Sequence, residues 1–173
     1  MDSLIMKIIS LVPSLVIGTC FLLTSCATPE QKAAKEVAKK AAFATAVADA
    51  EKNIPEGYSQ LTGEGLTVFV SDTTISGLSE RAPGWRYDVY RAPDGTQRGT
   101  STNGSKTSND SGKWTMNGDT YCSQWKKWGD SKENCYRVYA GTAEDYYTIT
   151  TEGKFWSSNE FQGSRAEGNT KNL

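Results

Sequence analysis

The chain has 173 residues, with 19 lysines and arginines against 20 aspartates and glutamates, and it contains no histidine. The balanced charge, without a basic run interleaved with aromatics, excludes a nucleic-acid partner. The lack of histidine removes the usual general base, the Ser-His and Cys-His nucleophile pairs and the commonest metal ligand. The expectation is therefore a non-enzyme that calls for no cofactor.

Residues 8–23 form an apolar run broken only by small or turn residues, with Lys7 just ahead of it. A charged start, an oily middle and a small-residue cut site make a secretory signal. Leu23-Thr24-Ser25-Cys26 resembles the bacterial lipobox, in which a signal peptidase cuts before the cysteine and lipid is attached to its thiol. The alternatives are an ordinary cleaved signal or an anchor left in place. A spanning helix wants about 20 apolar residues, and this run is shorter, with Pro13 and Gly18 inside it. Asp2 is a poor neighbour for a positive n-region, so translation is expected to start at Met6. Residues 1–25 are thus read as a lipoprotein signal peptide, 26–57 as lipid anchor and helical tether, and 58–173 as a β-rich domain. Ala27 follows the lipidated cysteine where aspartate would favour inner-membrane retention. The expected address is the cell envelope, on an outer membrane facing the periplasm if the source has two membranes.

Cys20 leaves with the signal and Cys26 takes the lipid, which leaves Cys122 and Cys135. In an exported protein an isolated even pair reads as a disulfide, and closing so short a loop contributes about 3 kcal/mol. A metal site at this pair would need more soft ligands than the chain supplies.

Thr28-Pro29-Glu30 is a helix start, with a capping hydroxyl, proline in the first turn and an acid at the positive dipole end. Alanine and lysine carry the helix to Lys52, and Phe43, Val47, Ala50 and Ile54 form a thin apolar face, the pattern of a spacer lightly docked on the domain. From Tyr58 onward, aromatic and β-branched residues separated by glycine turns signal antiparallel sheet. Residues 61–70 fit either a helix or a strand. Trp85, Tyr87 and Val89 alternate on to one strand face, Pro93-Asp94-Gly95 turns the chain, and residues 96–101 return it. The polar stretch 102–111 is expected as a loop. Asn117-Gly118 suits a hairpin turn, with Met116 opposite Asp119 and Trp114 opposite Tyr121, and Cys122 on the other face. Residues 125–130 make a loop and 135–139 the next strand. Residues 146–151, 155–157 and a final stretch at 161–167 are further strands. The fold class is mainly β, an antiparallel meander or small open barrel of about seven or eight strands behind a signal and an Ala/Lys-rich helix.

Trp85, Pro93-Asp94-Gly95-Thr96, Gly112-Lys113-Trp114, Gly118-Asp119-Thr120-Tyr121-Cys122 and Cys135-Tyr136-Arg137-Val138-Tyr139 occur in this order. Together they resemble an uncharacterised family of small exported bacterial proteins, domain of unknown function 995, over residues 61–168. The resemblance implies a helix at 62–70 followed by a strand at 73–77. It implies no activity, cofactor or catalytic residue.

Four groups of residues are candidates for chemistry. Trp125, Lys126, Lys127 and Trp128 make an aromatic-basic loop tip that could stack on a glycan or meet an acidic envelope protein. The simpler account is one tryptophan capping the core beside solvated lysines. Asp119, Asp130, Glu133, Glu144 and Asp145 are candidate carboxylates for glycoside chemistry. Asn109-Asp110-Ser111-Gly112 is oxygen-rich but lacks the spaced ligands of a calcium loop. Ser111-Gly112-Lys113-Trp114 is similar to the Ser-Gly-x-x-Tyr motif of small lipid-anchored lysozyme inhibitors, with the aromatic one position early. The leading expectation is a lipid-anchored binding or structural lipoprotein, ahead of an inhibitor or interaction protein for an envelope enzyme and a carboxylate-based hydrolase. Mass spectrometry of protein extracted from its own envelope is expected to find a chain beginning at an acylated Cys26 with fatty acids such as palmitate. Cys26→Ala should leave the precursor unprocessed and free of lipid.

Overall fold

The computed structural model describes residues 28–79, 82–141 and 145–173. The segment expected to be a signal peptide and Cys26 lie outside them. Helix α1, Pro29–Glu51, begins at a capping box. The Thr28 hydroxyl accepts from the Gln31 amide at 3.3 Å, and the Gln31 side chain accepts from the Thr28 amide at 3.0 Å. Its first turns are exposed, and the apolar face read from sequence becomes buried only at Val47 and Ala50. There, with Ile54 alongside, the helix packs on Tyr139 and Ile149. Glu51 fastens this end, accepting from Arg137 Nη1 and from the Tyr139 hydroxyl, each at 2.6 Å. Burial and the bond to Glu51 push the Tyr139 phenol up to about 12. Among the described residues, no helix is long and apolar enough to cross a membrane.

Ten antiparallel strands make one sheet curled into a half-barrel. They are β1 (Ser59–Gln60), β2 (Thr73–Leu78), β3 (Arg86–Arg91), β4 (Thr96–Asn103), β5 (Lys106–Asn117), β6 (Thr120–Trp125), β7 (Glu133–Ala140), β8 (Tyr146–Thr150), β9 (Phe155–Ser157) and β10 (Ser164–Glu167). Strands β2 to β9 form a meander in chain order, β10 returns beside β2, and the two-residue β1, not expected from sequence, pairs with the end of β7. Helix α2, Gly63–Val70, lies between β1 and β2, so residues 61–70 take the helical alternative. Its Leu66 and Val70 are fully buried against Trp114, Tyr121 and Val138. Arg165 of β10 donates to the carbonyls of Phe69 and Val68 at its C-terminal end.

Two strand expectations are corrected. Residues 102–111 are not a loop, because β4 and β5 pair without interruption from Thr96 opposite Lys113 to Asn103 opposite Lys106. Backbone ladders and polar cross-strand bonds such as Thr100 Oγ1 to Asn109 Oδ1, 2.9 Å, suffice where neither face needs an apolar side chain. The β5–β6 hairpin pairs Asn117 with Thr120, Met116 with Tyr121 and Trp114 with Ser123. Its turn is therefore Gly118-Asp119, with glycine first and at φ +58°, as a type II′ turn requires. The partners move by two residues, so Trp114 and Tyr121 keep one face and Cys122 the other.

The 158–163 connection joins the two edges of the half-barrel. Ser158 exchanges hydrogen bonds with Tyr146 on β8 (2.9 and 2.8 Å), and the Phe161 carbonyl accepts from Leu78 at the end of β2 (2.8 Å). Cys122 and Cys135 sit directly opposite each other on β6 and β7 and are disulfide-bonded, their Cα atoms 4.0 Å apart. This is the closer of the two spacings that alternate along an antiparallel ladder. Replacing both cysteines by serine is expected to lower unfolding free energy by about 3 kcal/mol, read from urea denaturation, with the native far-UV spectrum retained.

Candidate functional site

Strand alternation builds the inner face. On β3 it carries Tyr87, Val89 and Arg91, and the ladder partners extend that face through Ile75 on β2 and Gly99 on β4. Helix α2 fills one end. The rest borders a cavity of about 440 Å³ that opens to solvent, within the range of small-molecule sites.

Rings dominate the wall. Tyr121 stacks on Tyr136 with centroids 5.1 Å apart, Tyr136 lies 5.8 Å from Trp156, and Trp156 lies 6.5 Å from Phe161. Phe69 of α2 meets Tyr146 edge-on at 5.2 Å. Burial raises the Tyr87 and Tyr146 phenols above their ordinary value, nearby phenols add to the effect, and Arg91 opposes it. At neutral pH both are uncharged hydroxyls.

The aromatic-basic segment divides by residue type. Trp125, the last residue of β6, and Trp128 both line the cavity and pack together, centroids 4.8 Å apart, while Lys126 and Lys127 are exposed. Gly99 makes room for them, since a Cβ there would come within 2.6 Å of the Trp128 ring. Asp110 on β5 fixes the turn, accepting from the amides of Ser111, Lys127 and Trp128 at 2.8–2.9 Å. Burial opposes ionisation of this carboxyl, but the three amides outweigh it, and its pKa falls below the usual carboxylate value. Asp110 thus lies on a strand, and its carboxylate oxygens, in the oxygen-rich segment 109–112, are taken by backbone amides. The Trp128 indole donates to Ser108 Oγ at 3.1 Å, and a turn follows in which Gly129, Asp130 and Ser131 all have positive φ.

The remaining candidates lie elsewhere. Cys122 and Cys135 lie within reach of Glu133, but both sulfurs are committed to the disulfide. Asp119 sits in the β5–β6 turn, and Asp130 and Glu133 are exposed. Asp145 accepts from the Tyr58 hydroxyl and from Asn159 Nδ2. Glu144 lies outside the described residues. Among the described residues that line the cavity there is no aspartate or glutamate.

Sequence reasoning missed Arg91, Trp156, Gly99 and the organising role of Asp110. A signal for Arg91 was present, because it continues the Trp85, Tyr87, Val89 alternation and so falls on the apolar phase of its strand. Compared with known proteins, the chain matches no family model, and neither a curated protein nor a solved structure is significantly similar to it.

Asp110→Asn should destabilise the domain by about 1–3 kcal/mol at pH 7, because three partly buried amides lose a charged acceptor. Folding lowers the pKa of Asp110, so its contribution is present above the unfolded value of about 4 and is lost as pH falls through the folded value. Thermal melts at stepped pH should show the two proteins converging in acid.

Proposed function

We propose that the chain is a lipid-anchored envelope protein whose β-domain takes up a small, largely apolar ligand without catalysing its conversion. The observation that carries this reading is the ring-walled cavity of about 440 Å³ inside the half-barrel. Binding sites of this size are mostly apolar and aromatic, with a few polar groups setting orientation. The lipobox-like Leu23-Thr24-Ser25-Cys26 and the resemblance to the exported family support the address. The Cys122–Cys135 disulfide fits an oxidising compartment. An inhibitor or interaction role would use a protruding polar loop, and the tip of the β4–β5 hairpin around Gly104 offers one. The cavity behind it favours the ligand-binding role, and tryptophans on its wall give that role a built-in reporter.

N-phenyl-1-naphthylamine, a neutral fluorescent probe, should bind the full chain in lipid nanodiscs and take up excitation energy from the cavity tryptophans. Probe dissolved in empty nanodiscs sets the background. Leu78→Trp, which adds bulk at a half-buried position on the wall, should weaken binding by about tenfold or more with little change in melting temperature. Energy transfer that is absent, or indifferent to this substitution, would overturn the proposal.

A further inference from the structure

Arg91 narrows the chemistry of the ligand. It closes β3 in the same side-chain phase as Tyr87 and Val89, so alternation alone delivers a guanidinium to the inner face. It is 8% exposed and lines the cavity. Nη2 lies 3.5 Å from the Tyr121 hydroxyl, and Cζ lies 5.0 Å from the centroid of the same ring. Nε and Nη1 are buried and meet no acceptor among the described residues. Trp156 Nε1, a residue on another part of the cavity wall, is likewise buried with no acceptor among the described residues. Arg91 is the single charged residue among the described residues that line this space.

A buried guanidinium without a carboxylate partner is among the least favourable groups a fold can carry, and buried N–H donors without acceptors add to that cost. The face of the Tyr121 ring offsets part of it, but a neutral phenol cannot neutralise the charge. The contrast with Arg165 is informative, because that guanidinium is occupied by two carbonyls of α2. A guanidinium presents parallel N–H groups that match the two oxygens of a carboxylate. The geometry points to a ligand with one carboxylate on an apolar or aromatic body. Arg91 receives the carboxylate beside Tyr121, and the body lies along the rings.

This assignment rests on the ligand-binding role proposed above, which by itself requires no charge. Two matched pairs of probes separate the two ideas and also the two sources of such a carboxylate. Decanoate against 1-decanol tests an aliphatic acid, and 1-naphthoate against 1-naphthalenemethanol tests an aromatic one. Each is titrated calorimetrically into the full chain in nanodiscs, with empty nanodiscs as reference. At least one acid should bind about tenfold or more tightly than its alcohol. Arg91→Gln should bring that ratio close to one while the alcohol still binds. Arg91→Met, of similar length and without donors, should do the same and melt no lower than the unsubstituted protein.

An acid-to-alcohol ratio near one in the unsubstituted protein overturns the assignment and leaves the cavity role standing. A ratio that survives both substitutions overturns it as well. If none of the four compounds binds but N-phenyl-1-naphthylamine does, the assignment fails alone, and if that probe also fails, both fall. Should Arg91→Gln not fold, the ratio in the unsubstituted protein and in Arg91→Met decides.

Discussion

A single sheet that curls without closing has an inner face and no second sheet to bury it against. The rest of this domain answers that constraint. At one end α2 supplies Leu66 and Val70, both fully buried, against Trp114 and Val138. At the other end no helix among the described residues is inserted, and large rings from separate strands lean on one another instead, leaving space between them. Gly99 belongs to the same solution, because an inner face crowded by Trp125 and Trp128 needs a strand position with no side chain.

Strand β7 joins the parts. Its outward residues Arg137 and Tyr139 hold Glu51 of α1, and Cys135 is covalently tied to β6. Its inward residues serve both ends of the concave side, Val138 packing under α2 and Tyr136 standing in the ring belt. A change in any of these residues is felt on both faces, since the two side-chain sets share one backbone. The disulfide therefore braces the ladder nearest to the Tyr121–Tyr136 stack, and stability and site geometry are coupled there.

Much of this was legible in the sequence wherever local chemistry sufficed. Thr28-Pro29 announced α1, glycine turns announced hairpins, and two leftover cysteines announced the disulfide. The polar half of β5 was not legible, because its face pattern depends on a partner strand that is equally polar, and no alternation of apolar residues marks it. The turn at Gly118 was misplaced by one residue, since Asn-Gly and Gly-Asp each suit a tight hairpin and only the pairing of the flanking strands decides between them. For residues 125–128 the simpler reading put one tryptophan on the core beside solvated lysines; that both turn inward was not legible, because the bare Gly99 and the carboxylate of Asp110 are distant in sequence. Arg91 reads as an ordinary strand-end arginine until its neighbours on the inner face are known.

The connection at 158–163 has a mechanical consequence. In a closed barrel the girth is set by strand number and stagger, and no strand can be let out without breaking a ladder. Here the hoop is completed by a strap of irregular chain, buttoned to β8 through Ser158 and to β2 through the Phe161 carbonyl. Among the described residues, hydrogen bonds of this strap span the seam and no strand ladder does. The circumference of the half-barrel is thus set at the seam by side-chain and carbonyl hydrogen bonds of a few residues.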